Sequence, residues 1–294
     1  MNNVQQLQRT RAFPTMRVQS DPSGDVHWMY MHHGLEPGAR PCFHQALLTD
    51  MWSFMSAITL RENQRKPGRL RHLVMASDAA AFNLGGDLAL FAQLIRAGDR
   101  ERLLEYARRC VEGVHHLYGG MGGDMRTIAL VQGDALGGGL EMALACNTIV
   151  AEEGVSMGLP EVLFGLFPGM GAYSFLTKRV PPQLAEKIIL EGRIYRSEEM
   201  HAMGVVDILV PRGEGEAAVA DLIRRQQRAP AAHVALNAVR NISQPVGYDE
   251  LMGITEVWVD TALALNERSL KAMDRIIRAQ NRRAFGAEAG STGG

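Results

Sequence analysis

Two glutamates in this 294-residue sequence sit where a carboxyl group could move protons. Glu141 follows three consecutive glycines, Gly137 to Gly139, in GDALGGGLE (133–141). Glu161 follows Pro160 in MGLPEVLFGLFPGMG (157–171), with Leu159, Val162, Leu163, Phe164, Leu166 and Phe167 around it. A carboxyl set among apolar neighbours is desolvated, so its pKa rises and it can exchange protons near neutral pH. The competing role for each glutamate is a first-turn carboxylate that stabilises a helix dipole.

The glycines suggest a second kind of chemistry. Their backbone can approach a ligand closely, and N–H groups at a helix start favour negative charge. A further glycine turn, AFNLGGDL (81–88), follows an apolar run and precedes a helical pattern. Two such turns could aim two N–H donors at one oxygen and stabilise a developing oxyanion. Neither turn carries a GxxxxGK[ST] phosphate loop or a complete dinucleotide fingerprint. Asp87 reads as a helix cap.

The elements that must hold these turns are short strands and amphipathic helices. Val26, Trp28 and Tyr30 alternate with His27, Met29 and Met31, and HLVMAS (72–77), TIALVQG (127–133), NTIVAEE (147–153) and VVDILV (205–210) read as strands. Asp99 can cap a helix carrying Leu103, Leu104, Ala107, Cys110, Val111, Val114 and Leu117, closed by Gly119–Gly120. Further helices are expected over 183–192 and 197–204, each ending in glycine, and one without proline from Tyr248 to about Ala284. Alternating strands and helices predict an α/β fold with a mostly parallel sheet, followed by a helical C-terminal module.

Composition narrows the function. Hydrophobic residues make up 46%, enough for a real core, and 31 basic residues balance 32 acidic ones, which gives no footprint for nucleic acid. No apolar run is long enough to span a bilayer, and the N-terminus lacks a secretory h-region, so a cytoplasmic protein is expected. Cys42, Cys110 and Cys146 are too scattered for a disulfide framework, and the two adjacent histidine pairs make poor ligands. Neither a metal nor a cofactor is expected.

Taken in order, HLVMASDAAAFNLGGDL, IALVQGDALGGGLEMALACNTIVAEEG and MGLPEVLFGLFPGMGA resemble the three core segments of the crotonase (enoyl-CoA hydratase/isomerase) superfamily. The resemblance implies a ββα spiral core over 13–195 and a helical region over 196–285, assembled as a homo-oligomer, most simply a trimer; the polar first dozen residues and the small residues of 286–294 predict disorder at 1–12 and 286–294. It implies an oxyanion hole made by the Gly86 and Gly138 N–H groups, with Glu141 and Glu161 as the catalytic pair. For substrate walls it points to Gly85, Leu136, Gly137, Met170 and Trp258, ordinary core packing being the competing role for the last two. FNLGGDLALF, LPEVLFGLFPGMGAYSFL and ITEVWVDTAL are similar to bacterial diffusible-signal-factor synthases of the RpfF type. That branch implies dehydration and thioester hydrolysis of a 3-hydroxyacyl-acyl carrier protein, releasing a free cis-2-unsaturated fatty acid, with Glu161 taking the α-proton and Glu141 protonating the β-hydroxyl. It also implies a sensor histidine kinase as partner. An ordinary enoyl-CoA hydratase/isomerase and an inactive binding protein of the same fold are the alternatives. Residues 35–50 depart from the usual hydratase segment.

Overall fold

Runs that are apolar on both faces pair as parallel strands here, because helices cover both sides of such a sheet. The computed structural model describes residues 9–62 and 69–290. Its main sheet has seven strands in the order β1 (Arg9–Ala12), β2 (Met16–Ser20), β3 (Val26–Met31), β4 (Arg71–Ser77), β5 (Met125–Val131), β7 (Thr148–Glu152) and β10 (Ile208–Val210). From β3 to β10 the neighbours are parallel, and β1 and β2 add an antiparallel edge. A smaller sheet joins β6 (Ala135–Leu136), β8 (Ser156–Gly158) and β9 (Ile194–Arg196).

Helices α1 (Gln45–Glu62), α2 (Leu88–Ala97), α3 (Arg100–Tyr118) and α4 (Gly138–Ala145) build the larger core with one face of the main sheet. Asp99 caps α3 by accepting from Arg102 N at 3.1 Å, and Leu103, Cys110, Val111, Val114 and Leu117 are buried as their spacing requires. The opposite sheet face packs Val74, Ile128, Leu130 and Val150 against Val219 and Ile223 of α8 (Gly215–Gln226). The carboxylate that ends β7, Glu152, is buried and accepts from Gln132 Nε2 at 2.8 Å and from Gly215 N at 3.1 Å, which explains a charge in that position.

The remaining helices are α5 (Ala172–Leu176), α6 (Pro182–Glu191), α7 (Ser197–Ala202), α9 (Pro230–Ser243), α10 (Tyr248–Leu263) and α11 (Glu267–Gly290). Two expectations are corrected. The long C-terminal helix is two helices, because Asn266 starts a new one by accepting from Ser269 N at 3.0 Å. The strand expected over 205–210 pairs only at 208–210. At the ends, Arg9–Ala12 pair with β2 and α11 runs to Gly290, while 1–8 and 291–294 lie outside the described residues. Among the described residues no helix is long and apolar enough to cross a membrane.

Candidate active site

The loop 83–87 shows where an anion could be received once its backbone groups are accounted for. Asn83 N donates to Asp134 O, Leu84 N to Pro41 O, Gly85 N to Asn83 Oδ1 and Asp87 N to the Tyr106 hydroxyl. The carbonyls of Asn83, Gly85 and Asp87 accept from Leu136 N, Phe43 N and Phe91 N. Arg40 supplies the remaining two bonds, to Leu84 O at 2.8 Å and Gly86 O at 3.0 Å. Within this loop the Gly86 N–H alone meets no acceptor among the described residues.

The second donor comes from α4. Gly138 is its first residue, where an N–H has no intrahelical partner. A Cβ on Gly138 would lie 3.6 Å from Gly86 N, so the two N–H groups are neighbours on one cavity wall. Packing demands the glycines between: a Cβ on Gly139 would come within 2.0 Å of Asn83 O, and Gly137 holds φ +54°. Asp87 caps α2, accepting from Leu90 N at 3.1 Å, as its type suggested.

Glu141 lies in the first turn of α4, yet it does not serve that helix's dipole. Its Oε1 accepts from Met170 N at 2.8 Å and Ala172 N at 3.0 Å, and the side chain is buried. Burial lifts its carboxyl to about 7, against the two N–H donors that favour the anion. Glu161 stands in a 3-10 turn, Pro160–Phe164. The residue is partly exposed, but its Oε2 is buried without a partner and its Oε1 lies 2.6 Å from where a Cβ on Gly137 would be. Burial raises it further, to about 8, and the Glu141 charge adds to that. Two N–H donors favour the anion at Glu141, whereas the buried Glu161 Oε2 has no donor, so the geometry favours one negative charge on the pair, held at Glu141.

Both carboxyls open into one cavity of about 730 Å³, counting its mouth. Gly85, Gly86, Gly137, Gly138, Met170 and Trp258 line it as expected. Trp258 meets Phe91 edge to face at 5.1 Å, and Phe91 meets Tyr106 likewise, so the far wall is aromatic. Leu136 is not among the cavity's lining residues: it is buried in β6, paired with β8, with its carbonyl oxygen 2.9 Å from where a Cβ on Gly85 would be. Arg40, Phe43, Asn83 and Tyr106, which hold the donor loop, were not read from the sequence. Tyr106 donates to Phe43 O and closes the network. Among the described residues no cluster of histidine, cysteine or carboxylates could hold a metal.

Two adjacent N–H donors, a carboxylate and a carboxylic acid around an apolar cavity can hold a thioester oxygen and move protons at the next two carbons. This is the site of a crotonase-fold protein, and the sequence agrees: the pattern of the enoyl-CoA hydratase/isomerase family matches residues 36–246, and the chain belongs to that family. It is 29% identical over 263 residues to the enoyl-CoA isomerase/hydratase fer4 of Mycosarcoma maydis, covering 88% of this chain and 90% of that one. It is 36% identical over 154 residues to the peroxisomal fatty acid beta-oxidation multifunctional protein AIM1 of Arabidopsis thaliana, which spans 52% of this chain but 20% of that protein. Its fold is that of Pseudomonas aeruginosa DspI (24% identity, TM-score 0.64, covering 83% of this chain and 91% of that chain). It is equally that of an enoyl-CoA hydratase from Bacillus halodurans (18% identity, TM-score 0.70, covering 91% and 99%).

Proposed function

We propose that this protein adds water to, or removes it from, the 2,3-bond of a fatty-acyl thioester. The observation that carries this reading is the unequal pair of carboxyls beside two N–H groups. In the hydration direction ionised Glu141 draws a proton from water as the oxygen attacks the β-carbon. The thioester oxygen gathers the enolate charge against Gly86 and Gly138 N–H, and Glu161 gives its proton to the α-carbon. Dehydration runs the same steps backwards, with Glu161 as base and Glu141 as acid, by microscopic reversibility. The match to the enoyl-CoA hydratase/isomerase family over residues 36–246 supports an enoyl-CoA hydratase/isomerase.

The second reading is a synthase of a free cis-2-unsaturated fatty acid from a 3-hydroxyacyl carrier protein. It is supported by Met170 and Trp258, which line the cavity and lie in two of the segments similar to the signal-factor synthases. The same oxyanion donors would serve thioester hydrolysis, which passes through a tetrahedral anion. The homotrimer rests on the crotonase resemblance, the sensor-kinase partner on the signal-factor synthase resemblance, and the cytoplasmic setting on the sequence reading alone. Presenting the protein with matched 3-hydroxyacyl-CoA and 3-hydroxyacyl carrier protein, and identifying products by mass spectrometry, separates the two. An esterified trans-2-enoyl-CoA formed faster from the CoA substrate supports the hydratase. A free cis acid formed from the carrier substrate supports the synthase.

A further inference from the structure

A second apolar space of about 350 Å³, counting its mouth, adjoins the reaction cavity. Met51, Trp52 and Met55 of α1 form one side, and Gly113 and Val114 of α3 the other. The two spaces share three walls, Phe43, Cys110 and Met170, so they are separated by side chains and not by a layer of backbone. They also meet at α4, where Glu141 lines the first and the adjacent Met142 the second. The partition is apolar, since Phe43, Cys110 and Met170 are all buried and carry no charge.

Gly113 gives the chamber its shape. It lies inside α3, where glycine weakens a helix relative to alanine. Helical interiors keep a glycine when a neighbour approaches closely, yet a Cβ at 113 would meet nothing within 4 Å. Its φ is not in the left-handed region, and it caps nothing. What a side chain there would enter is the chamber.

We propose that this chamber receives the distal end of the substrate's hydrocarbon chain, and that Gly113 keeps it open and so sets the longest chain accepted. The proposal rests on the acyl-thioester reading above. With the carbonyl held by Gly86 and Gly138 and the next carbons at the glutamates, the tail must leave through apolar walls. The space beside Cys110 and Met170 adjoins the cavity there and reaches Met142, the residue after Glu141. Its far rim carries Arg109, whose carbonyl accepts from Trp52 Nε1 at 3.3 Å, so a tail would end at a polar edge.

Gly113→Leu fills the chamber without a backbone clash. Gly253→Leu is the control: that glycine is exposed on α10, with equally open space around it, so it takes the same helix-propensity gain away from any cavity. Two readouts are taken on wild type and both variants: kcat/KM across a series of enoyl-CoA chain lengths, and equilibrium binding of the fluorescent fatty acid cis-parinaric acid. Gly113→Leu is expected to retain crotonyl-CoA turnover, to lose roughly fourfold in kcat/KM per methylene excluded from the chamber, and to lose parinaric acid binding. Gly253→Leu is expected to match wild type. A chain-length profile and parinaric acid affinity unchanged by Gly113→Leu would overturn the chamber assignment and leave the hydratase reading standing. A wild type that binds parinaric acid through Gly113 but turns over no thioester would refute the function and not the chamber.

Discussion

Arg40 donates to the carbonyl oxygen of Gly86 at 3.0 Å, and so grips the residue whose own N–H faces the reaction cavity. Its other nitrogen holds Leu84 O at 2.8 Å, so one guanidinium clamps both sides of the Gly85–Gly86 peptide. The carbonyl of that peptide accepts from Phe43 N at 2.8 Å, which polarises the N–H at its other end. The donor is thus preorganised from behind.

Arg40→Met removes both grips. Its kcat on an enoyl-CoA is expected to fall about tenfold or more, with KM nearly unchanged, because a looser oxyanion donor is felt mainly in the transition state. Arg40→Lys keeps the charge without the fork and is expected to recover only part of the loss. Steady-state kinetics with melting temperatures checks this. A wild-type kcat in Arg40→Met would show that the clamp has no part in turnover.

The carboxyl pair makes stability depend on pH. Folding raises Glu161 from its ordinary value of 4.5 to about 8, through burial first and the Glu141 charge second. Between those values the folded state holds a proton that the unfolded chain has released, so this contribution falls as pH rises. Glu161→Gln removes the titration. Its melting temperature is expected to exceed that of wild type by a margin that widens from pH 5 to pH 8. A margin that is constant, or that narrows, would mean that Glu161 is not held protonated by the fold.

The parts of the site legible in sequence were those whose chemistry sits in one residue and its near neighbours. Gly86, Gly138, Glu141 and Glu161 announce themselves by type and by the strands before them. Arg40 did not, since it binds carbonyls 44 and 46 residues away and main-chain acceptors leave no mark on side-chain pattern. Leu136 came from the resemblance and not from pattern, since a two-residue strand carries no periodicity from which to read a facing direction. The break between α10 and α11 was hidden for a related reason: no glycine or proline marks it, and Asn266 is its one local signal. Gly113 was visible throughout as a glycine inside a good helix, but only the cavity beside it gives that oddity a meaning.

The account turns on Glu141 and Glu161 adding a proton and a hydroxyl to adjacent carbons. Hydration of crotonyl-CoA in D2O, followed by mass spectrometry and NMR of the 3-hydroxyacyl product, measures this directly in wild type, Glu141→Gln and Glu161→Gln. Wild type is expected to form product carrying one deuterium at the α-carbon. Each variant is expected to remain folded and to lose roughly 100-fold or more in kcat. Hydration at the wild-type rate in either variant, or product without α-deuterium, would contradict the account.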